Sequence, residues 1–470
     1  MYQTRSNFGA NLGSVFLREK WIYPSFFKGE QKTEFDIISS FKKNKEKGRR
    51  EMEAHWTSYF LDEDWVELTR NKVNSLRLPI GFWNIDGGKY TTGTIFEEYS
   101  EMYRNSWLII KSHYIVPAAR RGISILIDVH GVPGGANDND HSGAFYGGAT
   151  FWTTPSFQEL FIKAAVFVFE DLKEYDNISG ILLINEASYN FNLQQQNFYA
   201  AAINAIREKE KTIPVVISDG WNADSWIQWV SSNQNPNAPA GIVVDHHVYR
   251  TFTDKDKERS ADEIIADLNH DLLPSVNNDG NDVDFMVGEW SSVMDGQTWA
   301  RTNGVITPSD DNDPRRRELV AEFNSKQTEL FRKRASTGSY FWTYKFESGY
   351  GGEWDFRQQL GRGFEAPQVS VPDDSTFKRT LARDYTAHKN YWDSQYPNGK
   401  FEHERYKEGF VTAWEDGVTY AKAGALVGRK HAIKSVRLQE HLQRKGYLEN
   451  IWEWKQGFDK GLEEFNKNAI

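Results

Sequence analysis

The chain of 470 residues has no cysteine at all. That absence excludes disulfides, thiolate metal sites and cysteine nucleophiles together, and it leaves no mark of adaptation to an oxidising compartment. Long hydrophobic runs are also missing, since no stretch approaches the roughly 18 apolar residues of a membrane helix. Met1 to Gly13 offers no basic segment followed by an apolar one, so neither a membrane span nor a secretory signal is expected, and a cytoplasmic location is. Positive charge is in deficit: 56 Lys+Arg against 66 Asp+Glu leave a net charge of -10. A polyanion such as nucleic acid is therefore a poor partner, and a neutral substrate an easier one. No glycine-rich phosphate loop follows a strand, no serine sits in a nucleophile elbow, and no histidine pair shares a helix with a glutamate. His246 and His247 are neighbours, but adjacent strand residues face opposite ways, so they do not easily share one ion.

Aromatic residues, by contrast, are abundant at 14%, with 17 tryptophans. Most belong in a core, but flat apolar faces are also what stacks on the C-H surface of a sugar. Eight short β-branched or aliphatic runs end in polar or glycine residues and alternate with helix-length stretches. They are Phe8 to Leu12, Val73 to Pro79, Ile123 to Val129, Ile178 to Asn185, Pro214 to Asp219, Gly241 to His247, Val283 to Glu289 and Gly338 to Trp342. Helical spacing is plain in Phe157 to Leu172 and Gln194 to Ile206. This is the pattern of repeated βα units, and it predicts an α/β fold, a (β/α)8 TIM barrel over residues 1–375. Residues 376–470 are charged and helical, predicting a C-terminal extension packed on the barrel.

Three segments stand outside the alternation. Lys28 to Arg50, lysine-rich, reads as a solvated helix or loop. Gly131 to Thr154 is glycine-rich and polar, the composition of a long rim loop able to shape a substrate pocket. Its acidic residues lack the spacing of a calcium loop, and no metal is expected there. In the extension, Tyr406-Lys407-Glu408-Gly409-Phe410 echoes Trp454-Lys455-Gln456-Gly457-Phe458, which predicts two helices packing in similar ways against the barrel or each other. Asn177-Ile178-Ser179 is a glycosylation sequon abutting a buried strand, and so most readily a chance match.

Two of the runs end in glutamate, Glu186 and Glu289. A parallel barrel carries its chemistry on the C-terminal rim, and two carboxylates there are what a glycosidase uses as acid and nucleophile. One of them should carry a proton at working pH, with a raised pKa, while the other stays ionised. Arg77, His130, His247 with Tyr249, and Trp342 lie towards the same ends of other strands. They supply an arginine and a tyrosine to align a nucleophile, histidines for sugar hydroxyls and a ring to stack on.

The ordered motifs Asn11-Leu12-Gly13 through Glu19 with Trp21-Ile22-Tyr23-Pro24-Ser25, Arg77-Leu78-Pro79-Ile80-Gly81-Phe82-Trp83, and Asp128-Val129-His130-Gly131-Val132-Pro133-Gly134 resemble glycoside hydrolase family 5 of clan A, within it the fungal exo-β-1,3-glucanases. The resemblance spans about Asn7 to Phe356. It implies that Glu186 is the general acid/base and Glu289 the nucleophile of a retaining enzyme, their carboxyl groups about 5 to 5.5 Å apart. It also implies that Asn185 holds the sugar 2-hydroxyl, that Arg77 and Tyr249 orient Glu289, and that His130 and His247 line the subsite. Glu19 would grip hydroxyls of the terminal glucose, and Trp342 would be the stacking platform. Two departures are visible: Ala187 follows the acid where the family usually has proline, and Ser14-Val15 and Arg18-Glu19-Lys20-Trp21 vary the opening segment.

The resulting expectation is an exo-acting β-glucosidase or exo-β-1,3-glucanase acting on β-glucosides or β-glucan oligosaccharides without metal or organic cofactor. A rutinosidase-like diglycosidase or a glycolipid β-glucosidase with the same pair are the alternatives among enzymes. A non-catalytic carbohydrate-binding adaptor is the alternative outside them. Linkage, aglycone, oligomeric state and the role of the terminal helices stay open.

Overall fold

All eight apolar runs become strands of one closed parallel barrel whose order in space is their order in sequence. They are β1 (Asn7–Asn11), β2 (Ser75–Gly81), β3 (Ser124–Gly131), β4 (Ile178–Leu182), β5 (Val215–Ser218), β6 (Ile242–Arg250), β7 (Asp284–Met294) and β8 (Gly338–Phe341). The computed structural model describes residues 1–233, 241–277, 283–446 and 449–470. Side chains alternate along each strand, so Ile125 and Ile127 of β3 pack outward against the helices while Leu126 points inward. Leu126, Leu182, Val216, Val243, Met286 and Tyr340 together fill the barrel interior as one buried layer. Burial on both faces explains why these strands read as nearly unbroken apolar runs.

The helices follow from their spacing. Helix α1 (Pro155–Leu172) has proline at its start, where the missing N–H is no loss. It buries Phe161, Ala164, Ala165, Val168, Phe169 and Leu172 on one stripe against the barrel. Helix α2 (Asn192–Lys209) follows β4 in the same way. Lys28 to Arg50 is less solvated than its composition predicts. Thr33 caps a short helix (Glu34–Ser40), and Glu34, fully buried, accepts from Arg18 Nη1 at 3.0 Å. The charged run hides one ion pair among many exposed ones.

The described C-terminal residues form four helices: α3 (Asp374–Gln395), α4 (Glu404–Lys422), α5 (Lys430–Lys445) and α6 (Ile451–Ala469). The sequence echo is the α4–α6 contact. A Cβ on Gly409 would lie 2.1 Å from the Trp454 carbonyl oxygen, and one on Gly457 would lie 1.9 Å from that of Tyr406. Each helix thus presses its glycine on the other's backbone in a reciprocal pair, and the echo reports packing against each other.

These helices sit at the N-terminal ends of the strands. The Ser6 amide, just before β1, donates to the Leu426 carbonyl at 2.8 Å, and the Gly428 amide returns to Thr4 at 2.9 Å. Asp284, the first residue of β7, accepts from Arg429 Nε at 3.1 Å and from the His431 amide at 3.0 Å. It thereby receives the positive end of α5. The opposite rim is left to the cleft.

Three details depart from the sequence reading. β4 ends at Leu182, so Glu186 lies four residues beyond the strand rather than closing it. Glu289 lies inside β7, which continues to Met294, and Arg77 is the third residue of a β2 that runs on to Gly81 rather than lying near the end of a run closing at Pro79. The register of β7 against β8 shifts between Val287 and Trp290, and that of β6 against β7 between His246 and His247. Such bulges re-aim side chains next to a rim. Asn177 of the sequon is buried and donates to the Ile115 and Ile123 carbonyls, at 3.0 and 3.2 Å.

Candidate active site

On the C-terminal rim a cleft of about 770 Å³ is lined by Glu19, His130, His141, Glu186, Glu289 and Trp342, among others. Its floor is organised by Arg77, which is completely buried. Nη1 donates to Glu289 Oε1 at 2.7 Å and to Asn11 Oδ1 at 2.8 Å; Nη2 donates to Asn185 Oδ1 at 2.7 Å and pairs with Asp128 Oδ2 at 3.1 Å. Burial works against the guanidinium's charge, but Asp128 and Glu289 more than compensate and raise its pKa. The arginine is a permanent cation holding a carboxylate and an amide in fixed positions.

Glu289 is fixed from the other side by Tyr249, whose hydroxyl donates to Oε2 at 2.7 Å. Burial and the Glu289 charge push the Tyr249 hydroxyl well above its ordinary range, so it remains a donor. Both oxygens of Glu289 therefore accept a strong bond, which holds the carboxylate in one aim.

Asn185 has its amide orientation set by its partners. Its oxygen accepts from Arg77, so its nitrogen donates to His130 Nε2 at 3.1 Å. His130 Nδ1–H then donates to Asp128 Oδ2 at 2.7 Å, which selects the tautomer. One Asn185 N–H remains for a ligand. The His130 ring lies 5.8 Å from that of Trp342 and nearly parallel to it.

Glu186 adopts a left-handed backbone conformation, φ 43°, which is uncommon outside glycine and tends to cluster at functional sites. Its carboxylate is bracketed by two imidazoles: Oε1 lies 2.8 Å from His247 Nδ1 and Oε2 lies 3.2 Å from His141 Nε2. One oxygen of Glu186, one of Glu289 and a ring nitrogen of His247 lie within 4.8 Å of one another. Sequence reasoning expected a raised pKa on the acid. Burial does push that way, but the hydrogen bonds and charges of His141 and His247 prevail and hold Glu186 well below the carboxylate range. Burial lowers His141, yet Glu186, Glu19 and Glu289 bring it up to about 9. His247 is raised well above its ordinary value by Glu289 and Asp245 despite burial. The cluster holds its protons on the imidazoles, one hydrogen bond away from Glu186, and it titrates as a unit.

Glu19 lines the same cleft. Burial raises its carboxyl to about 8, although His141 and the Trp21 indole, which donates to Oε2 at 2.9 Å, both oppose that. His246 turns away from His247, as adjacent strand residues should, and its Nδ1 meets Asp219 Oδ2 at 2.6 Å. The Ala187 amide donates to Ser218 Oγ at 3.2 Å, a bond that proline at this position lacks. The rim loop is anchored inward: Asn137 donates to the Glu186 carbonyl at 3.0 Å, and Trp152 Nε1 to that of Ala136 at 2.8 Å.

Every site residue predicted from the sequence thus meets in one cleft or on its floor. Sequence reasoning missed His141, Asn11, Asp128 and Asp245. His141 lies in a loop without periodicity and gave no signal. The two aspartates were visible as Asp128/His130 and Asp245/His247, pairs two residues apart on a strand and therefore on one face.

A family model described as the glucan 1,3-beta-glucosidase 3 C-terminal domain matches residues 374–469. Along nearly its whole length the chain is similar to an uncharacterized glycosyl hydrolase of Saccharomyces cerevisiae, 34% identical over 99% of this chain and 92% of the relative. It is also similar to glucan 1,3-beta-glucosidase 3 of Schizosaccharomyces pombe, 30% identical over 98% of this chain and 95% of that one. Among solved structures, rutinosidase from Aspergillus niger shares the fold, with a TM-score of 0.55 at 18% identity over 77% of this chain and 98% of that one.

Proposed function

The chain belongs to the glucan 1,3-beta-glucosidase family of glycosyl hydrolases, and from that premise we propose that it is a retaining, exo-acting β-glucosidase of the exo-β-1,3-glucanase type. The observation that carries the reading is the approach of Glu186 to Glu289, with an oxygen of each within 4.8 Å of the other. Inverting enzymes keep their carboxyl groups about 6.5–9.5 Å apart to seat a water, whereas retaining ones hold them at about 5–5.5 Å.

Glu289, ionised between Arg77 and Tyr249, attacks the anomeric carbon. Glu186 takes a proton from a flanking imidazole and delivers it to the leaving oxygen, and the glycosyl-enzyme forms. Glu186 then removes a proton from a water whose oxygen bonds to the anomeric carbon as the bond to Glu289 breaks; the sugar leaves with its configuration kept, and the proton passes back to the imidazole. The free Asn185 N–H meets the 2-hydroxyl, a contact that tightens as positive charge builds on the ring. No step calls for a metal or an organic cofactor.

Exo action is supported by the residues that line the cleft. His141 and Asp140 both act on the charge of Glu19, and together the three suit the hydroxyls of a terminal sugar. Trp221 and Phe252, exposed at 49% and 62%, line the same cleft and suit further sugar units or an aglycone.

The test is hydrolysis of an aryl β-glucoside, β-1,3-linked oligoglucosides and a rutinose-type glycoside, followed by proton NMR of the first anomer formed. Release of β-glucose one unit at a time, lost in Glu186→Gln and Glu289→Gln, is expected. Initial release of α-glucose, or of an intact disaccharide, overturns the retaining or the exo assignment respectively.

A further inference from the structure

A second cluster of metal-ligating side chains lies far in sequence from the cleft residues, inside the C-terminal helices. His388 of α3, His403 just before α4 and Glu453 of α6 each present one ligand atom, all within 4.8 Å of one another. We propose that these three residues bind a divalent transition-metal ion of the Zn²⁺ class, which ties α3, α4 and α6 together.

The geometry is convergent. His388 Nε2 lies 2.9 Å and His403 Nδ1 2.8 Å from the same atom, Glu453 Oε2. The other oxygen of Glu453 is occupied, since Oε1 accepts the Glu402 amide at 2.6 Å. The remaining nitrogen of His403 is occupied too, with Nε2 3.1 Å from Asp393 Oδ1. A cation seated among His388 Nε2, His403 Nδ1 and Glu453 Oε2 would take one bond from each. A carboxylate behind a histidine is also the usual outer support of a metal-bound imidazole, fixing its tautomer and orientation.

The donors are preorganised and largely shielded. Glu453 is fully buried, and the His388 side chain is 5% and that of His403 11% exposed. The His388 ring stacks on Tyr406 at 4.1 Å and that of His403 on Phe401 at 5.3 Å, so neither turns freely. Two imidazoles and one carboxylate form a set that suits zinc and leaves a fourth position for water. Ligands about 2.0–2.2 Å from zinc in tetrahedral array stand roughly 3.4 Å apart, so the atoms need to open by about half an ångström. The bound ion belongs to the packing of the extension, and its existence is independent of the proposed reaction.

The experiment uses the untagged full-length protein, stripped with chelator and dialysed against Zn²⁺ alone. Elemental analysis is expected to give one zinc per chain, and Co²⁺ in its place visible absorption bands of a low-coordinate site. Glu453→Gln and His403→Gln should lose both signals. Asp393→Asn alters a half-exposed outer residue and so preserves the fold; it should weaken affinity about 10–100-fold. Glu289→Gln alters the one other such cluster among the described residues and should retain the metal. Failure of the wild type to hold zinc overturns the proposal. So does zinc kept by Glu453→Gln and lost by Glu289→Gln, or unchanged affinity in Asp393→Asn.

Discussion

Arg77 and Glu289 come from strands three apart around the barrel, β2 and β7, and meet at 2.7 Å with the guanidinium wholly buried. One planar fork serves Asn11, Glu289, Asn185 and Asp128 at once, which a single ammonium group cannot do. Arg77→Lys is therefore expected to lower kcat/KM on an aryl β-glucoside by at least about 100-fold. It should also cost about 3 kcal/mol of stability, in the range for a broken buried pair. A variant with intact kcat would remove Arg77 from the alignment of Glu289.

His141 brings a test of the proton reservoir. Its charge is held to about pH 9 by Glu186, Glu19 and Glu289 against burial, so the cluster keeps a proton available into alkaline solution. His141→Asn removes that proton-holding group. The basic limb of the kcat/KM profile should move to lower pH by about one unit or more, since each unit corresponds to roughly 1.4 kcal/mol of interaction. An unmoved limb would mean that the reaction never draws on this imidazole.

Glu19 carries the opposite linkage to a paired carboxylate. Burial raises it from an ordinary 4.5 to about 8, so folding favours its neutral form. That contribution is complete below about pH 4.5 and is lost as pH rises through 8. Glu19→Gln should match wild type in thermal stability near pH 4.5 and exceed it by on the order of 2–4 kcal/mol above pH 8. Equal stability across the range would show that the buried carboxyl is better solvated than its surroundings imply.

The reciprocal glycines of α4 and α6 predict a packing defect of defined size. Gly457→Ala places a methyl 1.9 Å from the Tyr406 carbonyl, whereas a Cβ on Gly296 meets nothing within 4 Å. Urea unfolding should show a loss of about 2–3 kcal/mol for Gly457→Ala, the cost of overpacking a tight contact. Gly296→Ala should be close to neutral. If the two variants unfold alike, the helices are free to slide apart.

The barrel was legible because its signal is repeated. Eight apolar runs, each buried on both faces, are hard to arrange otherwise, and all eight start within two residues of the observed strands. Their ends were less legible. Glu289 sits in the middle of β7 because a bulge, which leaves no mark in the hydrophobic pattern, lets the strand continue to Met294. That Glu186, Glu289 and Arg77 would come together on one rim was readable from residue type and position. Their protonation was not, because Glu186 is governed by His141, a residue 45 positions earlier in an aperiodic loop. Glu34 shows the same limit: a charged run hides a buried pair, since composition does not tell which one of several charges turns inward.

Strand β7 has two masters. Its first residue, Asp284, is gripped by Arg429 and the start of α5, while Glu289, five residues on, is gripped by Arg77 and Tyr249. A chain cut before the helices would strip Asp284 of Arg429, its counter-charge, on the same strand that carries Glu289. The barrel and its extension are consequently expected to share a single melting transition. One strand thus gives the helices at one end of the barrel a direct mechanical line to the floor of the cleft at the other.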